Sequence, residues 1–329
     1  MKKILNHLFE NKTFSKDEAR RILTSIALGE FNHSQIAAII TAFGMRNITV
    51  DELQGFRDAM LDLCLKIDLT DFELVDLCGT GGDGKDTFNI STLASFVVAG
   101  AGYKVAKHGN YGVSSGCGSS NVMEYLGYTF TNDESKLKQS LAQAGICFLH
   151  APLFNPAMKT VAPIRKELGV KTFFNMLGPM VNPAQPKNQI VGVFSLELAR
   201  LYAYLYQQTD KNYTIIHAVD GFDEVSMTCD FKTFSKKGEA LNKISDLGFD
   251  EITEKEIQGG DTVESSAKIF VDILNGAGTD AQTNVVLCNA ALAIQTIKDD
   301  AYFADCYYEA EEALMQKKAL ASFKKLITV

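Results

Sequence analysis

Four glycines fall within six residues, at Gly79, Gly81, Gly82 and Gly84, directly after an apolar run of Leu74, Val75 and Leu77. Glycine admits positive φ and lets backbone N–H groups come close to a ligand. Asn89, Ser91 and Thr92 then open an apolar segment, Leu93 to Ala101, that reads as a helix. A strand, a glycine loop and a helix N-terminus in succession make an anion cradle.

Two familiar phosphate motifs match the loop only in outline. GTGGDG fits G-x-G-x-x-G, but a dinucleotide fold places an acidic residue near the end of the next strand to hold a ribose. Here the next expected strand, Tyr103 to Ala106, runs into Lys107 and His108, and residues 87–123 contain no Asp or Glu. The loop also nearly spells a Walker A motif, but Asp86 stands where the metal-binding hydroxyl belongs. A purely structural turn accounts for the glycines but leaves the acid-free stretch unexplained. Within that stretch Lys107, His108, Asn110, Ser114, Ser115 and Ser119 read as a second polar loop of donors.

A formal net charge of −8 argues against a nucleic-acid surface and means that a phosphate ligand needs local help. A helix N-terminus supplies an anion with only about 0.3–1 kcal/mol. A divalent cation is the larger local charge, and carboxylates should exist to hold it. Asp223 and Glu224 fit, just after an expected strand, Thr214 to Val219. The 46% hydrophobic and 22% charged content are those of an ordinary soluble globule. No apolar run is long enough for a bilayer, and MKKILNHLFEN lacks the apolar core of a signal peptide. Seven cysteines without a C-x-x-C pair imply reduced thiols and a cytoplasmic location.

The first 65 residues read as helical. Ser15-x-x-Glu18 and Thr49-x-x-Glu52 are capping boxes, and Asn32-x-x-Gln35 resembles one. Leu53, Phe56, Met60 and Leu63 follow at helical spacing and form a stripe for a core or a subunit interface. From Leu74 short apolar runs alternate with helical segments. Strands are expected at 74–78, 103–106, 146–149, 190–194 and 214–219, which implies an α/β fold with a mainly parallel central sheet. Thr233 to Lys243 suggests an antiparallel addition, and helices at 280–297 and 302–315 close the pattern. All six prolines lie between Pro152 and Pro186, so this region is expected to cross between lobes.

GTGGDGKDTFNIST, KHGN with SSGCGSS, NPAMK with PIRKELG, FFNMLGPMVNPA and DGFDE occur in this order along nearly the whole chain. In this the sequence resembles the anthranilate phosphoribosyltransferase family. The resemblance implies a fold like that of nucleoside phosphorylases and phosphoribosyltransferases. A small helical domain would span residues 1–70, with a returning segment at about 158–183, and a catalytic α/β domain would span 71–329. It implies transfer of the phosphoribosyl group of phosphoribosyl pyrophosphate to anthranilate, two magnesium ions per site, and a homodimer joined through the helical domain.

Carried over position by position, the resemblance places phosphoribosyl pyrophosphate on Gly79, Gly82, Asp83, Thr87, Asn89, Ile90, Ser91 and Thr92. It adds Lys107, His108, Gly109, Asn110, Ser114, Ser115 and Ser119 to that site. Anthranilate would meet Gly79, Asn110, Arg165 and Gly178, with Pro179 beside it, and Ser91, Asp223 and Glu224 would hold the metal. Three positions depart from the family pattern. Tyr111 replaces the arginine that commonly follows KHGN, Asn155 replaces a histidine, and Asn121 replaces a frequent aspartate. A pyrimidine-nucleoside phosphorylase is the competing enzyme class, but it would not need the paired acids. A nucleic-acid-binding relative would show a basic surface and an eroded loop, and this sequence has neither.

Overall fold

The structure, a computed structural model, describes residues 1–112 and 116–329. Ser114 and Ser115 therefore lie outside the described residues. The chain forms two compact units, one of residues 1–66 with 151–183 and one of residues 67–150 with 184–329.

The first unit is built from helices whose starts are written locally. α1 is Lys2–Phe9, α2 Lys16–Ala27, α3 His33–Gly44 and α4 Val50–Leu63. Ser15, Asn32 and Thr49 cap α2, α3 and α4, each with its reciprocal Glu or Gln three residues on. Glu52 does more than cap. Fully buried, it also accepts from the Phe14 amide at 2.9 Å and from the Arg46 guanidinium, so one carboxylate ties three separate stretches together. The later segment of this unit carries two further helices. The Phe173 ring stacks on Phe56 at 4.6 Å and meets Phe43 edge-on at 5.3 Å.

The second unit is a seven-stranded sheet. Its strands are β1 Leu74–Gly79, β2 Lys104–Gly109, β3 Ile146–His150, β4 Asn188–Gly192, β5 Asn212–Ala218, β6 Phe231–Ser235 and β7 Gly238–Asn242, in the order β3-β2-β1-β4-β5-β6-β7. The first five are mutually parallel, and β6 and β7 are antiparallel. Taken in chain order, the helices from here are α5 Ile90–Gly100, α6 Ser119–Tyr125, α7 Glu134–Ala144, α8 Ala151–Phe154, α9 Met158–Leu168, α10 Leu196–Tyr206, α11 Val263–Leu274, α12 Asp280–Lys298, α13 Phe303–Met315 and α14 Lys318–Leu326. Of these, α8 and α9 belong to the first unit. α5 and α12 are buried along most of their length and form the centre of the core.

Three expectations shift. β2 runs on to Gly109 rather than ending at Ala106, and β4 begins at Asn188 rather than Ile190. In both cases polar residues that look like loop are buried in the sheet with partners supplied by other strands. A third closing helix, α14, follows the two expected. Its Ala319 backbone comes so close to Gly100 of α5 that a Cβ there would collide with it. Pro163 sits inside α9, in the segment PIRKELG.

Gly55 of α4 lies against the backbone of α2. A Cβ added there would drive into the Lys16 carbonyl and come within 2.8 Å of the Ala19 methyl. Gly55→Ala should therefore separate α2 from α4 and destabilise the protein by about 1–3 kcal/mol. A thermal melt unchanged from wild type would contradict this packing.

Candidate active site

The strand order reverses at β1. The chain passes from β1 to β2 and β3 on one side, then crosses back to place β4 and β5 on the other. The crevice at the carboxyl ends of β1 and β4 is where such sheets bind ligands. Gly79 and Gly192 end these two strands as a directly paired couple. Asp223 lies over both: a Cβ on Gly79 would collide with its carboxylate, and one on Gly192 with its backbone carbonyl. Two glycines thus clear the space for one acid.

The loop after β1 closes over that acid. Gly81, Gly82 and Gly84 have φ of +62°, +74° and +78°, a run that side chains resist. The Gly81 amide donates to Asp223 Oδ2 at 2.7 Å. Lys85, which the Walker reading would send to a phosphate, instead lies over the Phe222 ring at 4.4 Å and pairs with Glu254. Asp86, Thr87 and Phe88 are fastened to residues 257–259, with the Phe88 amide on the Ile257 carbonyl and the Gly259 amide on the Asp86 carbonyl. Asn89 precedes α5 without capping it through its side chain, which instead donates to the Cys117 carbonyl at 3.1 Å. The Ser91 amide, in the first turn of α5, donates to Glu224 Oε1 at 2.9 Å. Ile90 and Thr92 are buried beneath it. Glu224 therefore occupies the anion position of the helix N-terminus.

Both carboxyls are pushed far from their usual range. Burial, then the charge of Asp83, raises Asp223 to about 7, against the opposing Gly81 hydrogen bond. Burial and the charge of Asp223 raise Glu224 to about 8. Burial likewise raises Asp83. Burial disfavours charge on all three acids, and Asp83 and Asp223 add to that at Asp223 and Glu224, which an added cation would relieve. Among the described residues, no three His, Cys, Asp or Glu side chains form a complete metal cage. A hard cation here would therefore complete its shell with ligand oxygens or water, as magnesium does. The Thr80 hydroxyl at the head of the loop is buried with no partner, a further sign that the cradle expects a ligand. These residues fit a magnesium-bound polyphosphate.

The second polar stretch is not all loop. Lys107 and His108 lie in β2, 2% and 4% exposed, and only Gly109 and Asn110 emerge from its end. The β1–β2 ladder covers Leu74–Lys104 and Val75–Val105. Two side chains link the strands in opposite senses. Asp76 Oδ1 of β1 accepts from the His108 amide at 3.1 Å, and Lys107 Nζ of β2 donates to the Leu77 carbonyl at 2.6 Å. Lys107 Nζ also donates to Ser91 Oγ at 3.3 Å, and burial lowers its pKa. Its ammonium stabilises the acidic cluster from below instead of projecting from a loop. Beyond β2, the Ser120 amide and Ser119 hydroxyl donate to the Asn110 carbonyl. Asn121 Oδ1 accepts from both the Gly112 and Gly118 amides, closing the neck of the loop. A residue that only accepts here can be Asn as readily as Asp. Tyr111 packs edge-on against His150 at 4.8 Å.

The other unit holds Arg165, in α9. Its Nη2 donates to Asn175 Oδ1 at 3.3 Å, and its guanidinium lies over the Phe174 ring at 5.4 Å. Partial burial lowers its pKa, and among the described residues it has no acidic partner. A planar fork held by an amide and a ring, with no carboxylate of its own, is suited to a carboxylate ligand. Gly178 and Pro179 lie in a short helical turn further along this unit. Asn155 is buried with its Oδ1 unpartnered. Sequence reasoning passed over Asp76, Thr80, Gly192 and Asn289. Asp76 and Asn289 bond residues distant in the chain, and their only local cue was an acid or amide inside an apolar run; Gly192 matters by the space it leaves for Asp223, and Thr80 by a hydroxyl left without a partner.

Residues 71–320 match the description "Glycosyl transferase family, a/b domain", and residues 2–64 match "Glycosyl transferase family, helical bundle domain". Over 326 residues, 99% of this chain and 98% of the other, the sequence is 60% identical to the anthranilate phosphoribosyltransferase of Christiangramia forsetii. It is 51% identical to that of Bacteroides thetaiotaomicron over 327 residues, 99% of this chain and 98% of the other. The crystal structure of the Thermus thermophilus anthranilate phosphoribosyltransferase superposes with a TM-score of 0.92 at 28% identity, covering 99% and 98% of the two chains. The Saccharomyces cerevisiae enzyme in complex with PRPP and Mg gives 0.90 at 25% identity, covering 99% and 96%.

Asp223 and Glu224 bind protons more tightly in the fold than in the unfolded chain, where carboxyls titrate near 4. Between those values the folded state holds more protons. The pair's contribution to stability is therefore complete at low pH and is lost as pH rises through about 7 and 8. In EDTA the wild type should lose more melting temperature from about pH 6 to about pH 9 than Asp223→Asn/Glu224→Gln. Parallel melting curves would rule out the raised values.

Proposed function

The chain belongs to the anthranilate phosphoribosyltransferase family, and from that premise we infer that it transfers the phosphoribosyl group of phosphoribosyl pyrophosphate to the amine of anthranilate. The products are N-(5-phosphoribosyl)anthranilate and pyrophosphate, and the step belongs to tryptophan biosynthesis. The observation that carries this reading is the pair of buried acids under a glycine loop at the sheet's switch point.

In the reaction the amine nitrogen attacks C1 of the ribose, the bond from C1 to the pyrophosphate oxygen breaks, and the nitrogen then gives up a proton. An aromatic amine is already neutral at pH 7, so the protein needs no strong base. Its task is to position the reactants and neutralise the leaving group. Magnesium, when bound, supplies positive charge to the departing pyrophosphate. Asp223, Glu224 and the Ser91 hydroxyl would hold it, with two ions per site as our reading. The loop from Gly79 to Thr92 would cradle phosphate oxygens with the amides not already given to Asp223, Glu224 and Ile257, and the end of β2 through Asn110 and Ser119 faces the sugar. Lys107, hydrogen-bonded to Ser91, opposes the rise of Glu224 and so favours the ionised form that a metal needs. Arg165 takes the anthranilate carboxylate.

The first unit serves as the helical domain and the second as the catalytic domain in this reading. The stripe of Leu53, Phe56 and Met60 is buried in the core of the first unit and offers no interface, so a homodimer through its helices rests on the family resemblance alone. A monomer by light scattering at micromolar concentration would rule the dimer out. The seven free cysteines support a cytoplasmic, reducing location.

Loss of anthranilate fluorescence on incubation with phosphoribosyl pyrophosphate and magnesium tests the activity directly, and no loss overturns it. Charge-assisted hydrogen bonds contribute about 1.5–3 kcal/mol, or roughly 10- to 150-fold in affinity. Arg165→Ala should raise the anthranilate KM by that order and leave the KM for phosphoribosyl pyrophosphate nearly unchanged. Equal losses for both substrates would remove Arg165 from the acceptor site.

A further inference from the structure

After β5 the chain turns at Gly221, whose φ is +97°, and presents Asp223 and Glu224 from irregular backbone. Val225, the next residue, takes neither of its two backbone hydrogen bonds from a strand. Its amide donates to Asn289 Oδ1 at 3.1 Å, and its carbonyl accepts from Asn289 Nδ2 at 2.9 Å. The same Nδ2 donates to the Val285 carbonyl at 2.8 Å, one turn earlier in α12. One amide facing a donor on one side and two carbonyls on the other can adopt only this orientation. Asn289 is 5% exposed in an otherwise apolar stretch of α12, where asparagine is a poor helix former.

Two residues beyond Val225, Met227 is fully buried with φ +60°, a conformation that a bulky side chain holds only when its surroundings impose it. The acid segment is thus strained and irregular, and it is gripped at the residue after the acids.

We propose that Asn289 is a positioning residue for the acid pair. By holding both backbone groups of Val225, it fixes where Asp223 and Glu224 present their carboxylates to a metal-bound pyrophosphate. The proposal rests on the reading that this pair holds magnesium.

The test compares wild type, Asn289→Ala and Thr296→Ala. Thr296 lies two turns on in the same helix and is buried, and it bonds Thr214 and Leu292 rather than the acid segment. Its truncation reports a general loss of stability. Manganese binding in the presence of phosphoribosyl pyrophosphate is followed by electron paramagnetic resonance without anthranilate, so no turnover occurs. Steady-state KM values are measured with both substrates. Asn289→Ala should weaken manganese binding about tenfold, as expected when a two-bond clamp no longer selects the competent segment. It should also raise the KM for phosphoribosyl pyrophosphate while leaving that for anthranilate unchanged. If Asn289→Ala does not fold, Asn289→Ser carries the same expectation, because serine is too short to reach both Val225 groups. Wild-type affinity in the folded variant, or equal weakening in Thr296→Ala, overturns the proposal. A wild type that binds no manganese with phosphoribosyl pyrophosphate overturns the magnesium reading itself.

Discussion

The approach of Asp223 to Gly79 and Gly192 is the contact on which the catalytic unit depends. Any side chain at the ends of β1 and β4 would evict the acid, because both positions already face its carboxylate or its carbonyl. Once the acid is admitted, the loop must turn through three positive φ values to bring the Gly81 amide onto it. α5 must then begin where the Ser91 amide meets Glu224. Loop, helix start and acid segment therefore share one geometry.

The early end of the β1–β2 ladder follows the same logic. Buried amides and carbonyls beyond it cannot be left open. Asp76 and Lys107 resolve this by replacing the missing ladder bonds with side-chain bonds. The exchange also places an ammonium beneath the acids and a carboxylate deep in the sheet, where Gln189 and, through it, Tyr206 complete the network. Electrostatic compensation and strand geometry are met by the same two residues.

What could be read from the chain was what is encoded within a few residues. Ser15, Asn32 and Thr49 announced their helices because a capping box closes over three positions. The glycine loop announced a phosphate cradle because positive φ is a local demand. Lys107 and His108 misled because a charged residue in a strand looks like the end of it. Only Leu77, thirty residues earlier, shows why the lysine can be buried. Asn188 and Gln189 hid the start of β4 for the same reason, being paired to Leu74 and Asp76. Asn289 was invisible in an alanine-rich helix. Arg165 was legible only through resemblance, since nothing near it in sequence distinguishes it from a solvent-facing arginine.

The separation of Val225 from Asn289 has a consequence for how the molecule is made. The two lie sixty-four residues apart, with the acids synthesised first. As the chain leaves the ribosome, the glycine loop, β5 and both carboxylates emerge while the side chain that grips the acid segment does not yet exist. A nascent chain halted before α12 carries every residue of the loop and acid pair but lacks this support. The acid segment gains its two-bond clamp only once α12 has been made, so an unfinished chain that already carries both acids still lacks the contact that fixes the residue after them.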